Sequence, residues 1–369
     1  MTPRQRVLAA VTHQTPDRNP MDFGGTLMSV CTPDFLRQMR QFLGYTLPPD
    51  RDSDDYWVDE AIQQYLQVDL RFVPAAPPLP ILRDLDPAAA EALLADRARQ
   101  RAAQDGSIVT TAVKHNHPLA DKTLAELQTI KPQPQQPPRY LNWTIQQAQA
   151  YRAAGYATTY WVSGGFFEAG CYVRGYEQFA MDVAADPDIV RALFDVWLAE
   201  KLQTVELVIK PLAPYIDIFC FGDDLGLQNG PFMSPDTFRT LIKPYFDTHY
   251  SAVHRAAPNS YLFHHSCGSV YRLLDDLIAM GVNILNPIQP NAVEMEPERL
   301  YAKVCGRLCL HGGLDLQDLL PHGTPAQVRA EALRRIQVLG TNGGYICAPA
   351  HSLPEDVPLQ NLLALFGRA

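Results

Sequence analysis

"YLFHHSCGSVYRLLDDLIAMGVNILNPIQP", residues 261–290, packs two apolar runs and a helical pattern into one short stretch. Phe263, His265 and Cys267 alternate, so an extended chain places them on one face. Leu273, Leu274, Leu277 and Ile278 then form a helical stripe that Gly281 closes. The run 282–290 follows directly. A strand, a helix and a strand in this order imply parallel strands joined by a crossover helix.

The same rhythm extends in both directions. Upstream lie "PMDFGG" (20–25), "VDLRFVP" (68–74), "YATTYWVSGG" (156–165) and "IDIFCFGDD" (216–224). Downstream lie "RLCLHGGLD" (307–315) and "GYICAPAH" (344–351), and with "YLFHHSCG" (261–268) and "VNILNPIQP" (282–290) the runs number eight. Helix signals separate the later ones: Ser234 as cap before Pro235, and Thr324 before Pro325 with Gly340 at the far end. Eight strands alternating with helices predict an α/β fold, a (β/α)8 TIM barrel forming a single domain over 1–369. An open doubly wound sheet is the alternative. Residues 84–145 break the rhythm and read as an inserted lid-like segment. It holds a hairpin pattern near "GSIVTTAVKH" (106–115) and an extended spacer, "KPQPQQPP" (131–138). Near the N-terminus, Thr2 and Pro3 open a short helix whose Val7, Leu8 and Val11 share a face.

Composition narrows the function. The 369 residues are 47% hydrophobic and 19% charged, ordinary for a soluble globular protein. A net charge of -9 without a basic stripe argues against nucleic acid as a partner. No stretch approaches the roughly 18 apolar residues of a membrane span, and no signal peptide is legible, so a cytoplasmic protein is expected. The seven cysteines are odd in number and scattered, which predicts reduced thiols rather than a disulfide framework. Gly-rich nucleotide cradles and a Gly-x-Ser-x-Gly elbow are both missing from the sequence.

In a barrel of this class, chemistry gathers at the C-terminal strand ends. The third run ends near Glu168 and the fourth in Asp223 and Asp224. The fifth supplies His265 and Cys267, the sixth Gln289, the seventh His311 and Asp315, the eighth Cys347 and His351. His265, Cys267 and Cys347 stand out, because one imidazole and two thiolates suit Zn²⁺ and leave a coordination position open. From spacing alone, a set of packing cysteines is the competing reading. His264 faces the other way and reads as a hydrogen-bonded packing residue. Cys31, Cys220, Cys305 and Cys309 read as core thiols. "HGGLD" (311–315) reads as a tight turn rather than an oxyanion loop.

The chain resembles the uroporphyrinogen decarboxylase-like superfamily of (β/α)8 barrels. The resemblance is carried by "RQRVLAAVTHQTPDRNPMDF" (4–23), "FGDDLGLQNGPFMSPDTFRTLIKPYF" (221–246) and "APAHSLPEDVPLQNLLALF" (348–366). It is similar to the corrinoid-dependent branch, both the methylcobamide:coenzyme M methyltransferases and the O-demethylating methyltransferases. There a His-x-Cys and a later Cys bind zinc, which implies His265, Cys267 and Cys347 as ligands. Glu168 is the expected fourth ligand, with Asp223 or Asp224 as alternatives. Asp223, Asp224, Gln289, His311, Asp315 and His351 are expected around a small-molecule substrate. The decarboxylase branch is metal-free and carries an Arg-rich element after its first strand; here "MDFGGTLMSVC" (21–31) has no Arg.

The resemblance thus implies methyl transfer between a small substrate, with a methyl ether favoured over a thiol, and a cobalamin-type corrinoid. A corrinoid domain would show Asp-x-His-x-x-Gly; "DTHYSA" (247–252) lacks the Gly and lies within a helical pattern. The corrinoid is therefore expected on a separate corrinoid-binding protein. The resemblance is compatible with a homodimer. A metal-free decarboxylase and a non-catalytic ligand-binding barrel are the rival readings.

Overall fold

The computed structural model describes residues 1–47, 57–77, 86–92 and 117–368. One curled sheet holds seven parallel strands: β1 (Leu70–Phe72), β2 (Ala157–Gly164), β3 (Ile218–Gly222), β6 (Tyr261–His265), β7 (Ile284–Asn286), β8 (Cys309–Leu314) and β9 (Tyr345–Pro349), in that spatial order. A separate antiparallel pair, β4 (Gly226–Leu227) and β5 (Gly230–Pro231), follows β3. Residues 20–22 close the circle. Cys347 N–H donates to Pro20 O, Asp22 N–H to Cys347 O, and Asp69 N–H to Met21 O. The first of the eight runs therefore joins β9 to β1, as a (β/α)8 barrel requires, although only a bridge at Met21 marks it.

Alternation along each strand divides the interior into two layers. Leu70, Ala157, Ile218, Cys220, Phe263, Ile284, Cys309 and Ile346 point inward and pack together. Their strand neighbours, among them Phe219, Phe221, Leu262, Leu285, Leu310 and Tyr345, face the helices. Helix Pro3–Val11 plugs the barrel floor with Val7 and Val11, and Thr2 caps it in a capping box. Arg6 to Asp69 (2.6 Å) and Arg4 to Asp217 (2.9 Å) fasten that helix to the strand starts. Each fully buried side chain of the size of Phe263 contributes about 2 kcal/mol by burial. Parallel strands covered on both faces give the continuous apolar runs seen in the sequence.

The 84–145 insertion is described in part. Leu119 N–H donates to Val173 O, and the Arg174 guanidinium donates to the carbonyls of Leu119, Ala120 and Lys122. The Pro/Gln-rich stretch holds no helix or strand. Its Gln133 and Gln135 N–H groups donate to Glu200 (2.7 Å) and Gln203 (2.9 Å) on helix Pro187–Thr204. The described part is a strap along the barrel's flank. The hairpin reading at 106–115 lies outside the described residues.

Cys31, Cys220 and Cys309 are buried, but Cys305 is exposed, a correction to its reading as a core thiol. Cys305 ends helix Pro297–Val304 and enters the turn before β8, so no strand carries it inward. Among the described residues, no helix is long and apolar enough to cross a membrane.

Candidate metal centre

β6 runs inward-outward through Phe263, His264 and His265, and this parity delivers His265 to the barrel mouth. His264 faces the helices, with Nδ1 2.8 Å from Tyr250 Oη, and burial pulls its pKa down to about 3. Past the strand, the chain turns sharply at Gly268, whose φ is +76°. A Cβ there would lie 2.4 Å from the Gly226 backbone, so only glycine lets this turn pass the β4–β5 hairpin. Asp224 Oδ1 accepts the Cys267 N–H at 2.8 Å and holds the turn from the end of β3.

Donor atoms of His265, Cys267 and His351 all lie within 4.8 Å of one another. His265 Nε2 is 3.5 Å from Cys267 Sγ and 3.6 Å from Asp224 Oδ1. The His265 and His351 rings meet edge to face at 5.3 Å. Cys347 is elsewhere. It packs with the helix-facing layer beside Tyr345, while Ile346 between them points inward. The structure therefore does not bring the expected His265–Cys267–Cys347 trio together. His351, two residues beyond β9, occupies the third corner, because the chain there has left strand parity behind.

Burial dominates the electrostatics. It lowers the pKa of His265, and that of His351 to about 4 with His265 as a further cause. It pushes the Cys267 thiol up to about 12, reinforced by Asp224 and Glu168. At neutral pH the trio is two neutral imidazoles and a protonated thiol. Such a set accepts a divalent cation when the thiol proton leaves. The two imidazoles differ in readiness. His351 Nδ1 accepts the Ser352 N–H at 2.8 Å, so His351 must release that bond to offer Nε2 with Nδ1 protonated. His265 Nδ1 instead faces Asn286 Oδ1 at 2.5 Å, which leaves Nε2 free toward Cys267.

Carboxylates divide by role. Asp224, partly exposed, reaches the trio. Asp223 is fully buried and accepts the N–H groups of Phe166 (2.9 Å), Phe167 (2.8 Å) and Glu168 (2.7 Å) at the start of helix Phe167–Arg174. Burial pushes its carboxyl up to about 7 against those donors. Its expected place around a substrate is thus corrected to a helix cap. Glu168 accepts the Tyr172 hydroxyl at 3.0 Å, and burial beside Asp224 raises its pKa. A cavity of about 330 Å³ at the end of β2, lined by Ser163, Glu168, Tyr172, Trp197 and Lys201, includes Glu168 and none of the trio.

The remaining expectations separate clearly. Gln289 bridges Gly268 N–H (2.9 Å) and Gln228 (3.0 Å) at the rim. Asp315 binds Asn291 and the Gln317 and Leu319 N–H groups, which makes it a turn residue. His311 has 0% exposure, so its expected place around a substrate is corrected as well. Its Nδ1 is 2.8 Å from Asn286 Nδ2 and its Nε2 2.9 Å from Asp22 Oδ2. Asn286 and Asp22, both fully buried, were not singled out from the sequence. Their inward parity at strand ends was the available signal.

The sequence model of the uroporphyrinogen decarboxylase (URO-D) family matches residues 110–369. Among solved structures, a methyltransferase from Methanosarcina mazei superposes with a TM-score of 0.58 at 16% identity, covering 100% of this chain and 98% of that one. A psychrophilic glycoside hydrolase family 10 endo-beta-1,4-xylanase superposes at 0.39 with 10% identity, covering 65% of this chain and 87% of that one. No curated protein sequence matches the chain.

Proposed function

The chain belongs to the uroporphyrinogen decarboxylase family, and from that premise we propose that it is a zinc-dependent methyltransferase. It moves a methyl group between a small substrate and a corrinoid carried by a separate protein. The convergence of His265, Cys267 and His351 at the barrel mouth carries this reading. The first run's lack of Arg, where a decarboxylase would hold its substrate's carboxylates, favours it over metal-free chemistry.

The donors fit zinc in kind: nitrogen and sulfur ligands, three in number. Bound there, zinc would supply Lewis acidity at an ether oxygen or hold a thiol substrate as thiolate. The chain's own groups do the rest. Cys267 gives up its proton on loading. Asp224 holds the Cys267 backbone in place and, by its 3.6 Å approach to His265 Nε2, precedes Glu168 as carboxylate donor. Burial and the neighbouring Asp224 raise the pKa of Glu168, which favours it as the group that would protonate a departing oxygen. A methyl ether is the favoured substrate. In such a transfer the ether C–O bond would break, the corrinoid on its separate protein would supply the methyl acceptor, and the leaving oxygen would be protonated.

The test is methylation of Co(I) cobalamin by a panel of methoxylated aromatics, followed by the visible spectrum, with methylcobalamin and a thiol as the reverse arm. Turnover that disappears with His265→Ala supports the proposal. Protein that carries no zinc and decarboxylates a porphyrinogen overturns it, and a chain inert in both assays with full small-ligand binding favours the non-catalytic barrel.

A further inference from the structure

Four side chains, Asp22, His311, Asn286 and His265, form a hydrogen-bonded line beneath the metal centre, and we infer that Asn286 acts through it as the positioning residue of His265. It sets which ring nitrogen is free to bind a cation. The inference rests on the metal reading proposed above.

The line has a direction. Asp22 Oδ1 accepts the Gly25 N–H (2.8 Å), and Oδ2 accepts Thr26 Oγ1 (3.0 Å) and Ser29 Oγ (2.5 Å). The Asn286 NH₂ only donates, so His311 Nδ1, 2.8 Å from it, accepts, and His311 Nε2 carries its hydrogen toward Asp22 Oδ2 at 2.9 Å. Asp22 Oδ2 thus accepts on one side of the His311 ring, and the amide meets the ring on the other. The amide's Oδ1 faces His265 Nδ1 at 2.5 Å and takes its hydrogen. His265 Nε2 is left with a lone pair toward Cys267 Sγ.

Turning the amide over would reverse everything downstream of it. The NH₂ would meet His265 Nδ1, the proton would sit on Nε2, and the face toward Cys267 would no longer accept a cation. Asp22, Asn286 and His311 are each at 0% exposure, so water is not at hand to compensate a reversed link. Three of the residues come from adjacent strands, β6, β7 and β8, and Asp22 comes from the 20–22 segment on the far side of β9. Partners of this kind hold the tautomer and ring angle of a ligating His, and their loss commonly costs about 10–100-fold in metal affinity.

The experiment pairs imidazole ¹⁵N chemical shifts of the metal-free protein with zinc affinity by chelator competition. Wild type should show His265 protonated on Nδ1. Asn286→Ala should lose that preference and bind zinc about 10–100-fold more weakly, while Asn286→Asp, which keeps an acceptor oxygen at His265, recovers most of both. A folded Asn286→Ala protein with unchanged tautomer and unchanged zinc affinity overturns the inference. Should Asn286→Ala fail to fold, Asp22→Asn makes the same comparison from the far end of the line. Absence of zinc binding by wild type contradicts the metal reading instead, and the nitrogen shifts then decide alone: Nε2–H in wild type overturns, and Nδ1–H lost in the variant upholds.

Discussion

Cys347 and His351 stand four residues apart and serve different layers of the molecule: the thiol packs beside Tyr345 under the helices, and the imidazole meets His265 at the mouth. Their substitutions should therefore diverge. His351→Ala is expected to weaken zinc binding by about an order of magnitude or more with little change in thermal stability. Cys347→Ser should keep zinc and lose about 1–3 kcal/mol, because it buries a hydroxyl where a thiol packed. Elemental analysis and thermal unfolding of both variants check the pair.

Cys267 is a protonated thiol at neutral pH, its pKa pushed up to about 12. Zinc loading should then release about one proton, and zinc affinity should rise about tenfold per pH unit near neutrality. Calorimetry in buffers of different ionisation enthalpy reads the proton count directly. In Cys267→Ser the release should fall toward zero.

Asp223 and Gly165 form a second matched pair. A Cβ at Gly165 would lie 2.0 Å from the Asp223 carboxyl carbon, so the carboxylate can reach the helix start only over a glycine. Asp223→Ala leaves three backbone donors without their acceptor and should cost about 2 kcal/mol. Gly165→Ala should destabilise in the same direction by displacing the cap. Denaturant unfolding of the two variants and their double mutant should show less than additive losses.

His249 is buried edge-on to Phe221 at 5.3 Å, and burial, with Lys201 nearby, lowers its pKa to about 3. The unfolded chain protonates this residue near pH 6.5, whereas the folded chain does not. Its contribution is complete above that pH and is lost on acidification, by about 2 kcal/mol at pH 5. His249→Phe should flatten the fall in stability between pH 7.5 and 5 relative to wild type. An unchanged slope in urea titrations contradicts this.

Each of the eight runs could be read directly, because barrel strands buried on both faces must be apolar throughout. That same continuity hid the parity of "YICAP": with no polar alternation, nothing in the letters says that Ile346 points inward and Cys347 outward. Sulfur chemistry then favoured Cys347 over His351, which lies beyond the strand. His265 and Cys267 were legible because the polar end of β6 alternates visibly. Asn286 was hidden for another reason. An Asn before Pro at a strand end resembles an ordinary turn residue, and its partner Asp22 lies far away in sequence. Cys305 misled because its run begins with a turn rather than with the strand.

Zinc-edge X-ray absorption of the as-purified protein tests the central claim most directly. The account predicts about one zinc per chain, a single sulfur neighbour near 2.3 Å and nitrogen or oxygen neighbours near 2.0–2.1 Å, with the sulfur lost in Cys267→Ser and retained in Cys347→Ser. Two sulfur neighbours, or protein that holds no zinc, would contradict it.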